Sequence, residues 1–118
     1  MTVQEIQALV DSVGVPSAYF QFTENTAQPP PFICWYLPQS DNFHADGVVY
    51  ATLDTLVVEL YTDEKDFTLE AAVEAALHGA ELGWQKEETC IGSEHSLWMV
   101  TYTTEVFINE CEQSEVQP

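Results

Sequence analysis

The spacing of apolar residues changes period twice between Val48 and Ile108, and that alternation restricts the architectures open to this chain. Over Val48 to Tyr61 the period is two, so Leu56, Val58 and Leu60 fall on one face of a strand and Glu59 and Tyr61 on the other. From Thr68 the period becomes helical, because Leu69, Ala72, Val73, Ala76, Leu77 and Ala80 recur at three- and four-residue intervals. It returns to two across Trp84 to Ile91 and Ser96 to Ile108, which read as a hairpin turning at Gly92 to His95. Trp98, Val100, Tyr102, Val106 and Ile108 then share one face.

The upstream third has its own punctuation. Val3, Ile6, Leu9, Val10 and Val13 predict an amphipathic helix over 2–13. Thr2 with Glu5 forms a capping box at its start, and Gly14 and Pro16 stop it. Tyr19 to Phe22 suggests a short strand, Thr23 to Pro31 a loop, and Phe32 to Leu37 a second strand. Pro38 to Gly47 reads as a long polar connection ending in Asp-Gly, which joins Phe32–Leu37 to Val48–Tyr61 in a long hairpin. Asp66 or Thr68 offers the N-cap of the second helix, and Gly83 its exit.

The element order, with connections too short for parallel crossovers except across the second helix, predicts an α+β domain. Its sheet should be mainly antiparallel, of about four to five strands, with both helices on one face and the aromatics of the other face partly free. One domain is expected over 1–108, followed by an acidic, disordered tail over 109–118.

Charge narrows the function. Twenty Asp and Glu face two Lys and no Arg, a formal net charge of −18. Proteins that grip nucleic acid neutralise phosphates with basic side chains, and Lys65 and Lys86 are too few for that or for an anionic membrane. No apolar run approaches a bilayer span and the N-terminus lacks a basic, apolar leader, so a soluble intracellular protein is expected. Three readings of the acidity stand side by side: a solvated surface, mimicry of DNA that occupies a basic protein's groove, and a repulsive lining past which DNA slides.

No catalytic constellation emerges. Cys34, Cys90 and Cys111 are widely spaced, form no C-x-x-C pair, and read as reduced thiols. His44, His78 and His95 have no partner at a diagnostic spacing, and no Gly-rich loop exists to hold a nucleotide cofactor. Asp41-Asn42-Phe43-His44-Ala45-Asp46-Gly47 has oxygen and nitrogen donors but lacks the alternation and distal Glu of a calcium loop, so it reads as turn chemistry around Phe43. No enzyme, metal or cofactor is expected.

Three runs carry a resemblance: Pro29-Pro30-Pro31-Phe32-Ile33, Asp41 through Tyr50, and Val58 through Asp66. They resemble small tail-completion proteins of long-tailed phages and prophages of Gram-positive bacteria. Gly83-Trp84-Gln85-Lys86, Ile91-Gly92-Ser93-Glu94 and Val100-Thr101-Tyr102 resemble that family's closing hairpin, so the likeness spans Thr2 to Ile108. It implies a tail terminator: a homo-oligomeric ring, commonly hexameric, that caps the tail tube and presents a surface to the head connector. The implied partners are further copies of the chain, the tail tube protein and the head-completion protein, with DNA only passing through the lumen and no membrane contact. The implied place is the virion neck, and the host cytoplasm during assembly. The near absence of Lys and Arg departs from that family's pattern and argues against attachment through basic residues of this chain.

A ring subunit needs two complementary patches. Phe43 and Tyr50 are the expected interface anchors, and Asp41, Asp46, Glu59 and Asp63 the expected lumen-facing acids, all from the long hairpin and its end. The alternative reading is a DNA mimic that inhibits a basic nucleic-acid-binding host or defence protein.

Overall fold

A computed structural model describes residues 1–22, 29–45, 48–91 and 97–108, and of 42–45 and 48–51 only the backbone. The elements run α1 (Val3–Asp11), β1 (Ser17–Tyr19), β2 (Phe32–Ala45), β3 (Val48–Thr62), α2 (Phe67–Gly79), β4 (Gln85–Ile91) and β5 (Leu97–Ile108). The fold is α+β, with a five-stranded sheet in the order β1-β2-β3-β5-β4. The expected turn at Gly92 to His95 and the tail from Asn109 lie outside the described residues, as does most of the expected loop after Phe22.

Both helices cover one face. Ile6 and Val10 of α1 and Val73 and Leu77 of α2 pack on Ile33, Trp35, Leu56, Val58, Leu60, Val100, Tyr102, Val106 and Ile108, all nearly inaccessible to solvent. Burying each such side chain contributes roughly 1.5–3 kcal/mol, so the two-residue period that segregates them is the main determinant of which way the sheet faces. The capping box forms as expected: the Glu5 amide donates to Thr2 Oγ1 at 3.1 Å and the Thr2 amide to Glu5 Oε1 at 2.7 Å. A short polar chain then ties α1 to the sheet. Gln7 accepts from the Trp35 indole at 3.2 Å and donates to Asp11 and to Ser17 at the start of β1.

Three local expectations are corrected and a fourth is narrowed to one of its two alternatives. The first strand is Ser17–Tyr19, and it pairs parallel with β2 through Ser17↔Ile33 and Tyr19↔Trp35. Twelve residues separate Tyr19 from Phe32, about the length that a parallel return needs. Second, β2 does not end at Leu37 but runs on through Pro38 to Ala45. Tyr36 pairs with Val57 and Gln39 with Thr55, so Leu37 and Pro38 together oppose Leu56 in a bulge. Proline is tolerated there because a bulge does not use its missing N–H. Third, Gly83 does not terminate α2. Glu81 takes the left-handed conformation at φ 62°, while the Leu82 and Glu81 amides donate back to the Leu77 and His78 carbonyls at 3.0 and 2.9 Å. Those two bonds make a Schellman exit with a non-glycine residue in the position glycine usually holds. Fourth, of the two N-cap candidates Asp66 serves, its Oδ1 accepting from the Leu69 amide at 3.0 Å.

Candidate functional site on the open face of the sheet

The face of the sheet away from the helices carries the odd-numbered side chains of β3 and their neighbours across the ladders. On β2 these are Phe32, Cys34 and Tyr36 before the bulge, and Gln39 and Asp41 after it, because the extra residue reverses the alternation. At the β1 end this face is hollowed into an open groove of about 490 Å³.

Aromatic rings form its walls. Phe32 stacks on Tyr61 with centroids 4.8 Å apart and planes 20° from parallel, and Phe22 meets the Phe32 edge at 5.4 Å. Phe20 stands edge-on to Tyr36 at 5.6 Å and remains 58% exposed. The backbone holds Phe20 there at a cost. Its φ is 69°, and the Gln21 amide donates to the Tyr19 carbonyl at 2.8 Å across it, which is a γ-turn. A bulky residue in that region stores roughly 1–3 kcal/mol of strain.

Glu59 lies in the groove between the aromatics. Its Oε2 accepts from the Tyr36 hydroxyl at 3.0 Å and its Oε1 from the Tyr61 hydroxyl at 2.8 Å. Burial, and then the hydrogen bond to Glu59 and its charge, push both phenols up, so they remain donors far into the alkaline range. Burial also raises the Cys34 thiol, with the charge of Glu59 adding to it. That thiol is therefore neutral and poorly nucleophilic at physiological pH.

The chain's two lysines lie on the opposite face. Lys65 pairs with Glu70 and Glu88, and Lys86 with Glu70 and Glu74 at 2.8 Å each. Glu74 also accepts from the Tyr102 hydroxyl at 2.8 Å. This network closes the gap between α2 and β4, and it binds both lysines on the helix-covered side.

Of the residues singled out from sequence, Asp41 and Glu59 share the open face, but six residues of strand, about 20 Å, separate their ladder positions. Asp63 is exposed just beyond the end of β3. Asp46 lies outside the described residues, and Phe43 and Tyr50 are placed by backbone alone, on the paired strands near the tip of the hairpin. The structure does not converge these residues on one spot. It gathers instead Phe20, Phe22, Phe32, Tyr36 and Tyr61 around Glu59, a grouping that the strand period hinted at only for Glu59 and Tyr61. Among the described residues no cluster of His, Cys, Asp and Glu could hold a metal ion, and no helix is long and apolar enough to cross a membrane.

No protein-family model matches the sequence, and none of the curated proteins matches it significantly.

Proposed function

We propose that this chain is a structural subunit of phage or prophage tail completion, closing the end of the tail tube as a homo-oligomeric ring and joining it to the head. The observation that carries this reading is the β2–β3 arm. Beyond Thr52, the last residue of β3 paired with β5, the two strands pair only with each other among the described residues, through Phe43↔Ala51, His44↔Val49 and Ala45↔Val48. A hairpin of this length is marginal in water as a two-stranded ribbon by itself, so its end is suited to packing on a neighbour. The open face offers a second and different surface. Two unlike surfaces on one subunit are what a head-to-tail, ring-closing interface requires.

Acidity fits the same reading. Asp41 and Asp63 are exposed, and a ring lined by such groups would let DNA pass without adsorbing. The resemblance of the Pro29–Ile33, Asp41–Tyr50 and Val58–Asp66 runs to tail-completion proteins supplies the specific role.

Removing the gene from the genome that encodes it, inducing lysis and imaging the particles by negative-stain electron microscopy tests the proposal. Filled heads beside unattached tails, some of irregular length, are expected. Normal infectious virions would overturn it and would favour the DNA-mimic reading, in which a basic protein is the target.

A further inference from the structure

We propose that the aromatic groove around Glu59 is a docking site for an arginine side chain presented by a protein of different sequence. Four observations carry this. Each oxygen of Glu59 receives one phenol hydroxyl, which fixes the carboxylate plane and leaves each oxygen a further lone pair. A planar guanidinium can fill both at once, whereas an ammonium is a point charge. The walls are ring faces and edges from Phe20, Phe22, Phe32 and Tyr61, against which a guanidinium stacks favourably. The γ-turn at Phe20 holds an exposed aromatic ring at the rim, edge-on to Tyr36, at a local energetic cost.

The fourth observation identifies the partner. The chain contains no arginine, and its two lysines are held in ion pairs with Glu70, Glu74 and Glu88 across the sheet from the groove. A second copy therefore has no guanidinium to offer, and the occupant must come from another protein. With a net charge of −18, the surrounding field would draw in a basic segment and repel an acidic one. The inference does not rest on the tail-completion reading, since any partner with an exposed arginine satisfies it.

The test is a titration of the isotopically labelled full chain, followed by backbone amide NMR. N-acetyl-arginine methylamide is the probe, with the lysine analogue and the neutral citrulline analogue as controls. Saturable shifts confined to amides of 20–22, 32–36 and 59–61 are expected with the arginine probe, weaker ones with lysine and none with citrulline. Glu59→Gln keeps an acceptor for a phenol while removing the charge, and should weaken arginine binding about tenfold. Phe32→Leu should weaken it severalfold, and Glu105→Gln, an exposed acid elsewhere on the same face, should leave it unchanged. Equal shifts from citrulline, shifts scattered without saturation over the acidic surface, or unaltered affinity in Glu59→Gln would each overturn the proposal.

Discussion

Glu70 is only 3% exposed, yet it is ionised in a chain with few cations to spare. Burial alone would raise its pKa, but the close contacts and charge of Lys65 and Lys86 outweigh that and hold it below its ordinary value of 4.5. The pairing is asymmetric: Oε1 lies 2.8 Å from Lys86 Nζ as an ion pair without a well-aligned hydrogen bond. A carboxylate with a depressed folded pKa contributes stability that is complete above the unfolded value and is lost as pH falls through the folded one. Glu70→Gln should therefore cost about 1–3 kcal/mol at neutral pH, since it leaves two ammonium groups with weaker partners. Urea unfolding at a series of pH values checks this, and the gap between variant and parent should narrow as pH falls from the ordinary value of 4.5 through the lowered folded-state value. A gap constant with pH would mean that Glu70 acts through packing alone. Neither lysine could have been assigned to Glu70 from sequence, because Lys65 precedes α2, Lys86 is in β4, and only the packing of α2 on the sheet brings them together.

At the scale of elements, what was legible is what obeys a local period. The capping box, both helices, the β3 core face and the closing hairpin all follow from spacing, since a misplaced apolar residue there would expose its own burial energy. The bulge at Leu37–Pro38 and the parallel pairing of β1 depend on partners distant in sequence, which no window of residues contains. The exit of α2 is instructive because the sequence offers glycine two positions later than the structure needs it. Glu81→Gly should stabilise the protein by about 0.5–1 kcal/mol, through relief of the left-handed strain and loss of a negative charge at a helix C-terminus. Thermal unfolding checks the sign, and a loss of stability would contradict the Schellman geometry. The β2–β3 arm should separate from the fold in the same way. Joining Asp41 directly to Leu53 through an Asn-Gly turn removes the ribbon but no residue of the core cluster. Circular dichroism of that variant should keep the parent's cooperative unfolding within a few degrees, while light scattering should show that self-assembly is lost. Assembly equal to that of the parent would remove the arm from the interface.

For the whole molecule, charge sets opposite salt dependences for the two kinds of contact inferred above. Each copy carries a net charge of −18, so copies approaching one another repel over a Debye length of about 30 Å at 0.01 M salt and about 8 Å at 0.15 M. Self-assembly through the arm and the open face should therefore strengthen as salt or magnesium is added, or require the end of a tail tube as template. Binding of a guanidinium at Glu59 has the reverse sign, because screening weakens attraction between unlike charges. Following molar mass by light scattering from about 0.01 to 0.5 M sodium chloride, with arginine-probe affinity measured over the same range, distinguishes the two. The expected result is a rise in oligomer with a fall in probe affinity. An oligomer that dissociates as salt increases would show that copies are held together by charge attraction. With both lysines already in ion pairs within each subunit, such an attraction has no free lysine or arginine to draw on, and the ring proposal would have to be abandoned.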